Sequence, residues 1–140
     1  MAFRLVTTVG QCTRDPKVLA TLAQAFLRGV VLSNQVLIRE RKKLGKPIPP
    51  LYKSGVRYER EPWDHVEEFA DILTVLRRGW GDCDDLAAWR VAELRESGET
   101  GADIRIYWRP KKKPNSPLMM HVQVRRANGA VEDPSRFLGL

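Results

Sequence analysis

Three residues able to carry out thiol acyl transfer occur in order in the second half of the chain. They are Cys83 in Gly81-Asp82-Cys83-Asp84-Asp85, His121 in Met120-His121-Val122, and Asp133 in Glu132-Asp133-Pro134-Ser135. A cysteine attacks a carbonyl as its thiolate, an imidazole takes the thiol proton near neutral pH, and a carboxylate holds the imidazole in the useful tautomer. Taken singly these signals are weak, because a cysteine at a helix start is more often buried and inert, and a lone histidine is more often structural. Their joint value depends on the elements that would bring them together.

Gly79 and Gly81 interrupt the chain, and a helix is predicted from Asp82 or Cys83 through Leu86, Ala87, Trp89 and Leu94 to Gly98. Cys83 then sits in the first turn, where the backbone N–H groups and the helix dipole favour a thiolate. The alternation Ile104, Ile106, Trp108 and the alternation Met120, Val122, Val124 predict two antiparallel strands, with His121 facing away from the apolar side of the second. Asn128-Gly129 is a strong turn signal before a short third strand, Ala130 to Asp133, and such a hairpin would return Asp133 beside His121. The connector Pro110-Lys111-Lys112-Lys113-Pro114-Asn115-Ser116-Pro117 reads as an exposed loop.

Upstream, Asp15-Pro16 reads as an N-cap and first helical residue, and Leu19, Leu22, Ala23, Phe26 and Val30 follow at helical spacing. This helix is expected to end near Leu44-Gly45 after Arg41, Lys42 and Lys43, with Gly29 bending it or admitting a close neighbour. Residues 46–63, rich in proline, read as an ordered extended arm whose Tyr52, Tyr58 and Trp63 pack on the body or line a cleft. A further helix is predicted over 64–77, with Val66, Phe69, Ala70, Leu73 and Leu76 on one side. The expected class is α+β, in one domain of 140 residues comprising an N-terminal helical segment (1–45), the arm (46–63) and a core (64–140).

The run from Leu76 to Ala87, LRRGWGDCDDLA, resembles the glycine-Asp-Cys-acid-acid-Leu-Ala signature of microbial transglutaminase-like thiol proteins. His121-Val122 and Glu132-Asp133-Pro134-Ser135 resemble that family's second and third motifs, and the likeness spans about residues 63–136. The resemblance implies a papain-like fold with Cys83, His121 and Asp133 as its triad, acting on a peptide or protein amide. Members include peptidases, amide-forming transferases, peptide:glycan amidases and proteins without activity, so the substrate stays open. Asp82, Asp84 and Asp85 read first as helix-start stabilisers. Asp85, which recurs in the signature, is the candidate to contact a cationic group on the substrate.

Further pieces of the site are sparser. The backbone N–H of Cys83 is the natural first oxyanion donor, and Gln11, Trp63 and Trp80 each carry an N–H that could supply the second. No metal or other cofactor is expected, because Asp-Cys-Asp-Asp lacks both the spaced Cys/His pairs of a zinc site and the glycine and terminal glutamate of a calcium loop. His65, in an acidic stretch, reads as a surface residue. The two cysteines, Cys12 and Cys83, are expected as thiols in a reducing compartment.

The formal charge of +7 divides into +7 over residues 1–50, −5 over 51–100 and +5 over 101–140. Basic ends attract nucleic acid or another acidic surface, although a solvated face explains them as well. A second reading follows, in which the same fold serves as a small phage or bacterial interaction or assembly module without catalysis. No stretch approaches the roughly 20 uninterrupted apolar residues of a membrane span, and Met-Ala-Phe-Arg-Leu does not open a signal peptide. A cytoplasmic protein without membrane contact is the expectation.

Overall fold

A computed structural model describes residues 15–62, 68–110, 112–115 and 119–140. Gln11, Cys12, Trp63, His65 and Val66 lie outside them. The architecture is mixed α+β, and α3 (Cys83–Glu96) runs through its centre. Leu86, Ala87, Ala88, Trp89, Val91, Ala92 and Leu94 are all buried, so α3 is apolar on several sides rather than along one stripe.

One flank of α3, through Ala87, Ala88, Val91 and Ala92, joins a core with Leu27 and Val31 of α1 (Pro16–Lys43), Ile104 of β3 (Asp103–Arg109), and Val122 and Val124 of β4 (Met119–Arg125). The other flank, through Leu86 and Trp89, meets Leu51 and Val56 of the arm and Ile72 and Val75 of α2 (Ile72–Arg78). Small alanines on the first flank let α1 and the sheet approach closely, and bulky Trp89 fills the second.

The ends of α1 follow from its sequence. Asp15 accepts the Lys17 N–H at 2.9 Å, Pro16 opens the helix, and Arg41, Lys42 and Lys43 sit in the last turn before Gly45 at φ 70°. Among the described helices only α1 is long and apolar enough to cross a bilayer by length and composition. Its polar side chains nevertheless reach across to other elements: Gln24 donates to the Ile104 carbonyl at 3.1 Å, Arg28 pairs with Asp103 at 2.7 Å, and Asn34 accepts the Ile72 N–H at 3.1 Å. Gly29 is exposed and a Cβ there would touch nothing within 4 Å, so no close neighbour among the described residues explains it.

The helix predicted over 64–77 begins later among the described residues, at Ile72. Residues 68–70 are not helical although Phe69 and Ala70 keep the 3.6-residue spacing. The backbone there is claimed from elsewhere: Asp85 takes the Ala70 N–H at 2.7 Å, and Asp71 caps the new helix by accepting the Thr74 N–H at 2.8 Å. Phe69 still packs inward, stacked on Phe26 with ring centroids 6.4 Å apart.

The arm is ordered by specific ties. Glu93 accepts the Leu51 N–H at 2.6 Å, and β1 (Arg57–Tyr58) pairs in parallel with β2 (Trp80–Gly81), aligning Tyr58 with Gly81. A three-stranded antiparallel sheet, β3-β4-β5, forms the opposite wall, with β5 spanning Val131–Glu132 and α4 following at Pro134–Phe137. The β4–β5 turn closes as its residues require: Gly129 takes φ 87°, and Asn128 Oδ1 accepts the Ala130 N–H at 2.9 Å. Glu132 then anchors the hairpin to α3, accepting from Arg90 Nε at 2.6 Å and from Arg126 at 2.8 Å, with the Tyr52 hydroxyl as a third donor.

Candidate active site

Cys83 is the first residue of α3, and the turn before it is built for a close fit. Gly79 adopts φ 79° after α2, and a Cβ on Gly81 would come within 3.1 Å of Leu86 Cδ2, so the helix packs back onto its own entry strand. Asp82 caps α3, its carboxylate accepting the Asp85 N–H at 3.4 Å. Cys83 is a half-buried thiol packed against the first core flank, at the positive end of a 14-residue helix.

The carboxylates around it point into the protein. Asp85 is 2% exposed, and its two oxygens are taken by the Ala70 N–H and by Arg78. Arg78 in turn lies over the Trp80 ring, 3.7 Å from its centroid, which gives Trp80 a packing role. Asp85 therefore latches α2 and the segment before it onto α3, with both oxygens committed inside the fold, whereas the signature suggested a contact with a cationic group on a substrate. Burial first, and then the Asp82 charge, push its carboxyl up to about 8 against the pull of Ala70 N–H and Arg78.

Asp84 is buried deeper. Its Oδ2 is enclosed without a hydrogen-bond partner, and burial, followed by its contact with Asp82, holds its carboxyl well above the usual range. One ligand atom from each of Asp82, Asp84 and Asp85 lies within 4.8 Å of the others, the one such group among the described residues. Asp85, committed to Arg78, makes it a poor cation site.

His121 and Asp133 meet. His121 Nε2 lies 2.9 Å from Asp133 Oδ2, which also accepts from Gln123 Nε2 at 3.1 Å. The hairpin register explains the contact: Val124 faces Glu132, so Asp133 comes opposite Gln123 and reaches His121, the next residue on the same face. Burial raises the Asp133 carboxyl, but hydrogen bonds from His121 and then Gln123 outweigh it and hold the group below its ordinary value. His121 is 1% exposed, although it faces away from the apolar side of β4, because Tyr107 sits edge-on to its ring at 5.4 Å and Asp133 closes its far edge.

The second ring nitrogen has a partner that spacing alone does not reveal. Arg109 Nη2 lies 2.9 Å from His121 Nδ1. A guanidinium only donates and a carboxylate only accepts, so Nδ1 is the acceptor and Nε2 carries the proton. Tyr58 is a second unforeseen neighbour. Its hydroxyl pKa is raised by burial first and by the charge of Cys83 second, and Arg109 pulls it down. The β1–β2 pairing and a hydrogen bond from the Tyr58 N–H to the Leu138 carbonyl at 2.9 Å hold Tyr58 there, and a two-residue strand leaves no periodicity to read.

Comparison with protein-family models, with curated proteins and with solved structures returned no match for this chain.

Proposed function

We propose that the chain is a transglutaminase-like thiol acyl-transfer enzyme with a papain-like core in one domain, acting hydrolytically on amide or isopeptide bonds of a peptide or protein. The observation that carries this reading is the His121–Asp133 hydrogen bond at 2.9 Å, beside a sheet on which the Cys83 helix packs. Asp133 orients the imidazole through Nε2, which leaves Nδ1 as the nitrogen that takes the Cys83 proton. The thiolate attacks the carbonyl carbon, and the first-turn N–H of Cys83 donates to the developing oxyanion. His121 returns the proton to the leaving amine, and water, activated by the same imidazole, releases the acid from the thioester. An amine in place of water would complete a transfer instead.

The test is thiol reactivity. Iodoacetamide should label Cys83 far faster than Cys12 in mildly acidic buffer, and His121→Ala should slow Cys83 by about 100-fold, at the lower end of the range for a positioned base. Equal, slow labelling of both cysteines would sink the reading.

A further inference from the structure

Beside the His121–Asp133 pair lies an open cavity of about 690 Å³, walled by Tyr107, Arg109, Pro110, Lys112, Arg136 and Leu140. Its volume suits a ligand of small-molecule size. Three of the six lining side chains are cationic and none is acidic. Two of those cations touch the pair directly: Arg109 donates to His121 Nδ1 at 2.9 Å, and Arg136 Nε lies 3.6 Å from Asp133 Oδ2. The remaining walls are a phenol ring, a proline and a leucine, which suit a short apolar stem ending in a charged head.

We propose that this cavity binds a carboxylate of the peptide substrate, held by Arg109, Lys112 and Arg136, and that its arrival draws Arg109 away from His121 Nδ1. The inference rests on the acyl-transfer reading and names its substrate class. Guanidinium forks match a carboxylate in shape, and a planar anion gives Arg109 a stronger acceptor than a neutral imidazole. Released from Arg109, the Nδ1 lone pair is available to the thiol. The base is thus engaged only when an acidic substrate is in place.

The experiment titrates the intact protein with N-acetylglutamate amide, which carries a side-chain carboxylate, with N-acetylglutamine, which carries a C-terminal one, and with neutral N-acetylglutamine amide. Binding and the ¹⁵N resonances of the His121 ring are followed together. At least one anionic probe should bind saturably and shift the Nδ1 signal, and whichever does so identifies the source of the carboxylate. The neutral amide should bind about tenfold more weakly or worse, the loss expected when a charge-assisted bond is removed. Lys112→Gln with Arg136→Gln should weaken the anionic probe by a similar factor; both residues are exposed, so the double variant should keep the fold. Cys83→Ala should bind like the parent. No saturable binding, equal binding of the neutral amide, an unaffected double variant or an unmoved His121 signal at saturation would each overturn the proposal. Binding that persists in a protein whose Cys83 labels no faster than Cys12 would sink acyl transfer alone.

Discussion

Two charged regions, one at the start of α3 and one beside the His121–Asp133 pair, are built in opposite ways. At the start of α3, Asp82, Asp84 and Asp85 are all buried, and Asp85 spends both oxygens on Ala70 and Arg78. At the mouth of the sheet, Arg109, Lys112 and Arg136 surround an open cavity, and Arg136 is 74% exposed along its side chain. Buried charges need internal partners and so become joints of the fold, whereas charges at a cavity rim stay hydrated and available. The acids at the start of α3 hold the scaffold, and the cations beside the imidazole line an open cavity.

The sharpest way to break this contrast is Asp85→Ala. It strips Arg78 of a buried partner and releases the Ala70 N–H, and should cost about 3–5 kcal/mol, the usual result of splitting a buried pair. Urea unfolding with an unchanged m-value would measure it. Arg136→Gln, at the open region, should change stability by less than about 0.5 kcal/mol in the same assay. A comparable loss for both would abolish the distinction.

Asp84→Asn sharpens the comparison with a smaller effect of opposite sign. A carboxyl raised in the folded state keeps its proton while the unfolded chain releases one, so its contribution falls as pH rises above the ordinary value of 3.8. Asparagine removes that slope, and the variant should gain stability over the parent in mildly alkaline buffer and none in acid. A parent whose stability does not fall faster with rising pH than the variant's would count against a protonated Asp84.

Least is expected at Glu99, where a half-buried acid meets Arg126 at 2.7 Å. Hydrogen bonds from Arg126 and the Ala127 N–H lower its carboxyl to about 2 from 4.5. Its contribution is therefore present above 4.5 and lost as pH falls towards 2, the reverse of Asp84. Glu99→Gln should flatten only that acid limb of the stability curve, by an amount that salt diminishes. An acid limb that keeps its slope in the variant would assign it to other groups.

Local chemistry was enough to read much of the scaffold. The Asp15-Pro16 cap and the Arg41–Lys43 end bounded α1, alternation located β3 and β4, and Asn128-Gly129 located the turn that returns Asp133 to His121. Each of these signals acts through residues close in the chain, by a cap, a period of two or a positive φ. The late start of α2 escaped, because a helical period cannot announce that Asp85 and Asn34 will claim the N–H groups of Ala70 and Ile72. Long-range pairing alone brought Tyr58 beside Gly81 and Arg109 onto the imidazole. The residue types for thiol chemistry and their order were thus set by the chain itself. Which charges are sealed as joints and which line an open cavity was decided by tertiary packing, because burial is a property of neighbours that no local pattern encodes.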